Sequence, residues 1–406
     1  MRRRAFLRTG IAGTLVGSAG CVSRVQRTVS NLTTGAEVDP GETTSVPMYK
    51  GDARNSGYFP DRTGPRGAPS VRWTFDPDTD RLSQAVLAGE LLAVQGTETL
   101  HVLDAVTGGV QWTAPTAHYS TSAPAFSGGR LYALGREDGV SVYDPADGTE
   151  RWTYDVDPPA GPLSVAQGTV VVVDEAGALT GLAATENRTV TEVSFTDIVD
   201  DARVDSGVAP AVSESGVICF PDARNSLLLA VRGSDQARAV AQFASVPSAS
   251  PVVSGETAYV PTRSMGGDPD LHAFDLDAGE LAWSRDLKQL SGVRLSPAIA
   301  DGTLVLGSDT DGSILVLDVS IPGVPRPRWG ATVDWGSLSS PVVTDDTVFV
   351  GAAPTDRDGG KLRAFDRNTG EQRWKMDVPG GVARAPAVTE NALYVTTEDG
   401  RLHAIA

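Results

Sequence analysis

A phrase repeated eight times along the chain constrains its fold more than any other feature. Seven of the copies begin at a proline, three of them in a Ser-Pro step, and each copy continues through two β-rich segments around a turn; four copies end on Asp-x-x-x-Gly-x-x-x-Trp. The register positions before the first apolar segment recur every 38 to 48 residues, a spacing typical of four-stranded propeller blades and not of helical or leucine-rich repeats. These positions are Gln84, Pro124, Pro162, Pro210, Pro251, Pro297, Pro341 and Pro386.

The pattern inside each copy predicts antiparallel strands. Apolar residues alternate with others through segments such as 131–134 and 140–143, and the breaks between them carry turn pairs such as Asp138-Gly139. Alternation with tight glycine turns is typical of β-hairpins. No part of the chain after its N-terminal segment sustains the 3.6-residue period of a helix. The sequence therefore predicts an all-β fold, a single eight-bladed β-propeller of four-stranded antiparallel blades over residues 47–406.

The recurring aspartates and tryptophans have a structural interpretation. Aspartate can accept hydrogen bonds from its own turn, glycine supplies a positive φ, and tryptophan fills the gap between neighbouring sheets. Stacking on a ligand is the alternative role for these tryptophans. The residues predicted to dock one blade against the next are Trp73, Asp104, Trp112, Asp144, Trp152, Asp275, Trp283, Asp318, Trp329, Asp366 and Trp374.

Two copies lack recognisable docking residues. The third, at 182–187, has neither the aspartate nor the tryptophan, and the fourth, at 229–233, has no clear equivalent of either. Because a missing tryptophan leaves a large volume unfilled, we expect these two blades to pack less well against their neighbours unless other residues fill the gap.

The two ends of the repeat region predict how the ring closes. The eighth copy stops at Ala406 after its third strand, whereas Val71–Phe75 reads as a fourth strand with no first three before it. Joining the two completes the last blade with a strand from the N-terminal side and leaves no open sheet edge.

These phrases resemble the repeats of pyrroloquinoline-quinone-type (PQQ-like) eight-bladed β-propellers. The lead-in at 48–58, Met-Tyr-Lys-Gly-Asp-Ala-Arg-Asn-Ser-Gly-Tyr, also resembles the segment before the first blade in haloarchaeal members. Within that group, the chain is similar to secreted lipoproteins related to the propeller subunit of the bacterial outer-membrane assembly machinery. The resemblance implies a propeller that binds protein partners, although a fold does not by itself fix a function.

The N-terminal segment predicts export and a membrane anchor. The pair Arg3 and Arg4, continued by Phe6 and Leu7, resembles a twin-arginine export signal. The apolar stretch that follows is too short and Gly-rich to span a bilayer. Resemblance to lipoprotein signals makes Cys21 the lipidated first residue of the mature chain, so that 1–21 is the signal; removal of Cys21 with the signal is the alternative.

Residues 22–46 predict a flexible tether between the membrane and the propeller. They are rich in Ser, Thr, Gly and Glu and have no strand pattern. Asn31 in the tether and Asn187 in the third copy both begin Asn-x-Thr sequons, which makes them candidate glycosylation sites in an exported protein.

The charge of the chain excludes some partners. Formal net charge is −17, with 51 acidic residues against 34 basic ones, of which only four are lysines. Nucleic acid and anionic membrane surfaces are therefore not expected as partners. The acidic excess with little lysine resembles proteins of salt-loving archaea, with an ordinary acidic exported protein as the alternative.

The resemblance raises the question of a quinone-dependent enzyme. In such enzymes it implies adjacent cysteines beside the cofactor, a catalytic Asp, and a calcium ion held by Glu, Asn and Asp. Here the two cysteines are far apart, and Cys219 lies in an apolar segment where we expect a small buried hydrophobe. His101, His272 and His403 occupy the same place in three copies, which indicates strand fillers. We therefore predict no catalytic residue and no cofactor.

No metal site is predicted either. The acidic triplets at 76–80, 309–312 and 356–359 place carboxylates at alternate positions, as hard cations need, but none continues into a glutamate at the required distance. Structural cation binding at these loops is the alternative.

The loops that join successive blades carry the candidate ligand site. They hold Tyr119 and Trp335 as stacking surfaces and Arg203, Arg294 and Arg384 as clamps for an anion or a carboxylate. Solvated loop residues and salt bridges to nearby carboxylates are the alternative reading of this rim.

The predicted function is that of an exported, non-catalytic propeller, anchored to the outer face of the cytoplasmic membrane, that acts as a protein-binding or assembly scaffold at the cell surface. The alternatives are a PQQ-dependent or related redox enzyme and an extracellular sensor of a ligand or polysaccharide.

Overall fold

The computed structural model describes residues 32–33, 37, 45–77, 79, 81–116, 122–135, 139–157, 159–195, 198–233, 236–247, 249–263, 269–323, 325–333, 336–354, 359–382 and 384–406. The predicted signal, Cys21, Asn31, Tyr119 and Trp335 lie outside these residues.

The described chain forms eight four-stranded antiparallel blades, which confirms the predicted all-β propeller. From the innermost strand to the outermost, the blades are Val86–Ala88, Leu91–Gln95, Thr99–Asp104 and Val110–Pro115 (blade 1); Ala125–Ser127, Arg130–Gly135, Gly139–Tyr143 and Glu150–Tyr154 (blade 2); Ser164–Ala166, Thr169–Val173, Leu179–Ala183 and Thr189–Val193 (blade 3); Ala211–Val212, Val217–Asp222, Leu227–Arg232 and Gln236–Gln242 (blade 4); Val252–Ser254, Thr257–Arg263, Asp270–Asp275 and Glu280–Asp286 (blade 5); Ala298–Ala300, Thr303–Gly307, Ser313–Asp318 and Arg326–Thr332 (blade 6); Val342–Thr344, Thr347–Pro354, Gly360–Asp366 and Gln372–Val378 (blade 7); Ala387–Val388, Leu393–Thr396, Leu402–Ile405 and Val71–Phe75 (blade 8).

Four short strands and one helical turn lie outside this repeat. The strands are Leu32–Thr33, beside Val71–Phe75; Tyr58–Phe59, parallel to the innermost strand of blade 7; Val246–Pro247, on blade 5; and Gly336–Leu338, on blade 7. Tyr49–Gly51 forms a single 3-10 turn. None of the described residues belongs to a helix long and apolar enough to cross a membrane.

Burial falls from the inner strands to the outer ones. Every residue of Thr303–Gly307 is buried, whereas the outermost strand of the same blade, Arg326–Thr332, has no fully buried residue. Inner strands are covered on both faces by the neighbouring blades, so they are almost entirely apolar, while outer strands meet water. Apolar clusters lie between adjacent blades, and one of them joins blades 7, 8 and 1.

The predicted closure of the ring is confirmed. The N-terminal strand Val71–Phe75 pairs antiparallel with Leu402–Ile405, with Trp73 opposite Ala404 and Phe75 opposite Leu402. The backbone N–H and C=O groups of Ser70 and Ala406 exchange two hydrogen bonds of 3.1 Å each. Blade 8 is therefore built from both sides of the chain.

The repeated phrase docks each blade on the next. The indole Nε1 of Trp112 donates to the carbonyl oxygen of Pro145, 2.9 Å away, in the turn of blade 2. In that turn Gly148 has a φ of +74°, and a Cβ there would lie 2.6 Å from the Trp112 ring, so only glycine fits. The rings of Trp73 and Trp329 pack on Gly108 and Gly370 in the same way, and Nε1 of Trp329 also donates to the carbonyl oxygen of Arg367 at 2.8 Å.

The phrase aspartates hold the same turns. Oδ1 of Asp366 accepts hydrogen bonds from the backbone N–H groups of Asn368 and Thr369, both at 2.9 Å. A charged hydrogen bond from Arg373 lowers the pKa of Asp366 to about 2.

Other residues fill the gaps beside the two degenerate copies. In blade 4, Arg238 lies opposite Ala230, the register that tryptophan occupies opposite Ala273 in blade 5. Its guanidinium packs over Gly279 and donates to the carbonyl oxygen of Leu276, one residue after the phrase aspartate Asp275. Arginine thus takes both the packing and the hydrogen-bonding role of tryptophan there.

Between blades 3 and 4 the filling is aromatic. The rings of Phe195 and Phe220 meet edge to face with centroids 5.4 Å apart, within a cluster that also contains Val199 and Val204 from the connecting loop. We expected blades 3 and 4 to pack less well only if no other residue filled the place of the missing tryptophans. In the structure other residues fill both places.

Candidate functional site: the central cavity

The lead-in, taken here with its flanking residues as 46–62, crosses the central channel and contacts every blade. Val46 pairs with Leu87 of blade 1, and Met48 packs in a cluster with Leu163 and Val165 of blade 3. The backbone carbonyl oxygens of the lead-in accept hydrogen bonds from the innermost strands of five further blades. These bonds run to Pro47 from Phe126, to Ala53 from Val212, to Arg54 from Val253, to Ser56 from Ile299 and to Gly57 from Val343, at 2.7 to 2.9 Å.

Arg62 connects the lead-in to the remaining blade. Its Nη1 donates to the carbonyl oxygen of Val388 in blade 8 at 2.7 Å, and its guanidinium lies 5.0 Å from the centroid of the Phe59 ring. The inner edge of a propeller carries free N–H groups, because each innermost strand has a partner on one side only. The lead-in supplies acceptors for these groups and so closes one end of the channel.

Lys50 is the anchor of this closure. Its side chain is fully buried, and Nζ donates to the carbonyl oxygens of Ser296, Pro297 and Pro341 at 3.2, 2.8 and 2.7 Å. Burial lowers the pKa of Lys50 to about 7. The three carbonyl oxygens match the three donors of an ammonium group, because a neutral amine would have only two N–H groups for them.

Asn55 makes the equivalent contacts on the other side of the channel. It has a φ of +56°, a conformation that asparagine tolerates better than most residues. Its Nδ2 lies 3.2 Å from the carbonyl oxygen of Pro210 and 3.1 Å from that of Pro251. The register prolines therefore have a second role beyond starting strands: four of their carbonyl oxygens bind the lead-in.

Above this floor lies a cavity of about 300 Å³, open on the side of the loops that join successive blades. Tyr49 forms part of the floor, and its hydroxyl lies 2.8 Å from Oγ of Ser296. Five serines and nine alanine, proline, glycine, valine or leucine residues from the connecting loops make most of the described wall. The charged residues in the described lining are Glu175, Arg294 and Arg384.

Gln84 carries the one unsatisfied amide of this wall. It is only 3% exposed, and its Oε1 accepts a weak hydrogen bond of 3.5 Å from the backbone N–H of Lys50. Its Nε2 has no hydrogen-bond partner in the described part of the chain. Leaving a buried donor unpaired costs about 1–3 kcal/mol, so an amide in this state points to a missing partner.

Two of the predicted rim arginines line the cavity. Nε of Arg294 lies 3.5 Å from Oδ2 of Asp309, and 62% of the Arg294 side chain is exposed. Arg384 is an exposed residue of the cavity lining, yet desolvation lowers its pKa, and Tyr49, Arg81 and Glu398 are the titratable groups around it.

Arg203, by contrast, does not line the cavity; it is exposed, and its backbone N–H binds Asp222 at 3.1 Å. The structure thus brings together two of the three arginines predicted for the rim. The two aromatic residues of the predicted rim, Tyr119 and Trp335, are outside the described residues.

The sequence aligned Gln84 with the blade-starting prolines, and the strand pairing corrects this by one residue. Ala85 is the equivalent of Pro341, Pro297 and Pro251, and Gln84 is the equivalent of the serines that precede those prolines. Gln84 thus places an amide where other blades have a serine, an alanine or, in one blade, a proline. Lys50 also stands out, as one of four lysines in an acidic chain and the one in the lead-in.

The remaining predicted residues have structural surroundings. His272 lies 3.1 Å from Oγ1 of Thr262 and 2.8 Å from Oγ of Ser284, and burial lowers its pKa. Cys219 is fully buried among apolar residues, and desolvation raises the pKa of its thiol to about 12. Asn187 is exposed in the outer turn of blade 3.

The described residues do not suit a quinone cofactor or its metal ion. In the described lining, Tyr49 is the one aromatic residue and Glu175 the one carboxylate, and there is no cysteine. Nowhere in the described ranges do three His, Cys, Asp or Glu side chains come close enough to hold a metal ion. A planar quinone needs a stacking surface and its divalent cation needs several oxygen ligands; the described lining supplies neither.

Fold and repeats together define a PQQ-like eight-bladed propeller. Residues 67–246 and 326–406, more than half of the chain, match the family model described as outer membrane protein assembly factor BamB, and the chain belongs to that family. The unmatched residues between them form blade 5 and the first three strands of blade 6, which are as regular as the others.

Solved structures share the fold at low sequence identity. BamB from Moraxella catarrhalis is 16% identical with a TM-score of 0.61, over 83% of this chain and 99% of that one. Quinohemoprotein alcohol dehydrogenase from Comamonas testosteroni is 12% identical with a TM-score of 0.64, and the match covers 90% of this chain and 81% of that one. The computationally designed Ika8 protein is 14% identical with a TM-score of 0.63, and the match covers 80% of this chain and 95% of that one. A search of curated proteins gives no match.

Proposed function

We propose that the protein is a non-catalytic propeller that binds protein partners as an assembly scaffold at the cell surface. The observation that carries this proposal is the make-up of the channel, which the lead-in fills at one end and which is lined at the other mainly by serines and small apolar residues with two arginines. Among the described lining residues, no hydrogen-bonded pair of a serine with a histidine or carboxylate is seen that would activate a nucleophile. Membership of the BamB family supports the same reading.

The redox-enzyme alternative has the weaker support. It is supported by the fold shared with quinohemoprotein alcohol dehydrogenase, but a fold shared at 12% sequence identity does not show that the two proteins share an activity. The described lining lacks the stacking surface and the cluster of cation ligands that a quinone would need.

The experiment that separates the two is a titration of the purified full-length protein with PQQ and Ca²⁺, followed by absorbance and by reduction of an artificial dye with alcohols and sugars. We expect no bound chromophore and no dye reduction. Stoichiometric quinone uptake with turnover would replace the scaffold proposal with the enzyme.

Export and anchoring complete the proposal. Arg3 and Arg4 would direct the folded chain through the twin-arginine route, and a lipid on Cys21 would hold it on the outer face of the cytoplasmic membrane. Mass spectrometry of the membrane-extracted protein should show a lipid-modified N-terminal cysteine. A Cys21→Ser protein that stays on the membrane would refute the anchor.

The acidic surface fits an environment of concentrated salt. At a formal charge of −17, self-repulsion is screened only when the Debye length is short. We expect the fold to loosen in dilute buffer and to recover in molar salt, as followed by circular dichroism; a salt-independent fold would favour an ordinary acidic exported protein.

A further inference from the structure

We propose that the central cavity binds the carboxylate group of a small ligand, with Gln84 and Arg384 as the residues that recognise it. This inference goes beyond the scaffold proposal and does not rest on it, because a cavity of this kind could regulate a partner or serve on its own.

The side-chain amide of Gln84 is buried at the cavity wall without a described partner for its N–H groups. Gln84 lines the cavity and is 3% exposed, and its Nε2 lacks a hydrogen-bond partner within the described ranges. The terminal torsion of a glutamine is broad, and the contact that fixes Oε1, 3.5 Å from the Lys50 backbone nitrogen, is weak. The amide can therefore turn Nε2 toward an acceptor oxygen that enters the cavity.

The position of Gln84 in the ring also points to a ligand. The strand pairing places alanine at the same position in three other blades, serine in three and proline in one, so Gln84 carries the one amide among the eight equivalent residues. Blade 8, which follows the loop carrying Arg384, is the neighbour of blade 1, which follows Gln84. The amide donor and the guanidinium therefore enter the cavity from adjacent positions of the ring.

The groups around the cavity suit a negative ligand on the side of Gln84. Arg384 lies in the lining near Tyr49, with Glu398 within electrostatic range, and Arg294 reaches the lining from between blades 5 and 6. Arginine binds a carboxylate through two parallel N–H donors, and an amide N–H adds a third. Glu175 is the one carboxylate of the described lining, and it lies on blade 3, two blades away from blade 1. Gln84 and Arg384 therefore offer an entering carboxylate donors from adjacent blades.

The size of the cavity limits the ligand. A volume of about 300 Å³ holds on the order of ten water molecules at roughly 30 Å³ each, and it is at the lower end of small-molecule sites. A small organic acid or the C-terminal carboxylate of an extended peptide would fit. Both present the same group, and the experiment has to distinguish them.

Isothermal titration calorimetry with the full-length protein tests this inference. The probes are succinate and citrate, with succinamide as the neutral match, and trialanine with a free C-terminus against its C-terminal amide. We expect at least one acid to bind while its neutral match does not. Binding of succinate or citrate would identify a free organic acid as the ligand class, and binding of the free peptide alone would identify a peptide terminus.

Three variants make the test specific. Gln84→Glu keeps the shape of the side chain but places a like charge beside the carboxylate, and it should weaken binding by about 100-fold. Gln84→Ala introduces the residue that three other blades have at this position and should weaken binding by about 10-fold without loss of folding, since the amide it removes makes one weak hydrogen bond in the described structure. Arg203→Met, on the rim but outside the lining, is the matched control and should bind like the parent protein.

Absence of binding by every acid at millimolar concentration would overturn the inference, as would equal binding by the Gln84→Glu protein. Neither result would bear on the scaffold proposal, because protein partners are assayed separately.

Discussion

The Nζ atom of Lys50 lies 2.7 Å from the carbonyl oxygen of Pro341, which joins the lead-in to blade 7 in the middle of the ring. Two more carbonyl oxygens, of Ser296 and Pro297, complete the contacts of this ammonium group on the side of blade 6. One buried side chain thus holds the lead-in against two blades, and the floor of the cavity depends on it.

Replacing Lys50 tests this role. Lys50→Met keeps the apolar stem but leaves three buried carbonyl oxygens without donors, so we expect the free energy of unfolding to fall by about 1–3 kcal/mol. Chemical denaturation measures the change. Lys375→Met, at an exposed position of blade 7, is the control and should have little effect. Equal stability of the two variants would show that the carbonyl oxygens find other donors.

Shortening the N-terminus separates the lead-in from the closing strand. A chain that begins at Arg66 loses the lead-in but keeps Val71–Phe75, whereas one that begins at Asp76 loses both. We expect each step to lower the thermal midpoint, and the second step also to promote association, because it opens the edge of Leu402–Ile405. Light scattering and differential scanning calorimetry follow the two effects. A chain beginning at Asp76 that melts like the parent would contradict strand closure.

Arg238 provides a test of blade docking. Arg238→Ala removes the packing over Gly279 and the donor to the Leu276 carbonyl oxygen, so we expect a loss of about 1–3 kcal/mol of stability. Arg238→Trp places the residue of the neighbouring blades at the same register and should retain most of the stability of the parent. If Arg238→Ala unfolds at the same denaturant concentration as the parent, the guanidinium does not dock the blades.

The buried histidines predict sensitivity to acid. Burial lowers the pKa of His101 to about 4, against about 6.5 in an unfolded chain. Between these values the unfolded chain binds a proton that the folded chain does not, so stability is full above about pH 6.5 and falls as the pH drops toward 4. His272 and His403 shift in the same direction.

His101→Gln isolates one of these groups. Its unfolding free energy should fall less between pH 6.5 and 4 than that of the parent, by up to about 3 kcal/mol. Denaturation series at pH 7 and pH 4.5 measure the difference. Parallel curves for the two proteins would show that His101 titrates normally.

Most of the fold could be predicted from the sequence because the repeat has a physical cause in each copy. Trp112, Gly148 and Asp144 recur as a set, since each depends on the others for a docked turn. Arg238 could not be predicted as a docking residue, because arginine on an outer strand is ordinarily a solvated residue. Its role depends on the register opposite Ala230, which only the sheet reveals.

The candidate site was predictable in part. Arg294 and Arg384 were found because they lie in connecting loops, and connecting loops line a propeller channel. The lead-in was recognised as a recurrent segment, but its path across the channel depends on backbone hydrogen bonds that carry no residue signature, such as those of Ser56 and Gly57. Gln84 could not be predicted, because the sequence aligned it with the blade-starting prolines whereas the strand pairing aligns Ala85 with them, and the buried, unpaired amide is visible only in the structure.

We proposed above that the protein acts by binding another protein. Native mass measurement of the full-length protein, extracted from its own membranes after mild cross-linking, tests it most directly. We predict a species heavier than the 42.3 kDa chain by at least one protein in fixed stoichiometry, without dye-linked dehydrogenase activity. A single-chain species that takes up PQQ and reduces the dye would contradict the account.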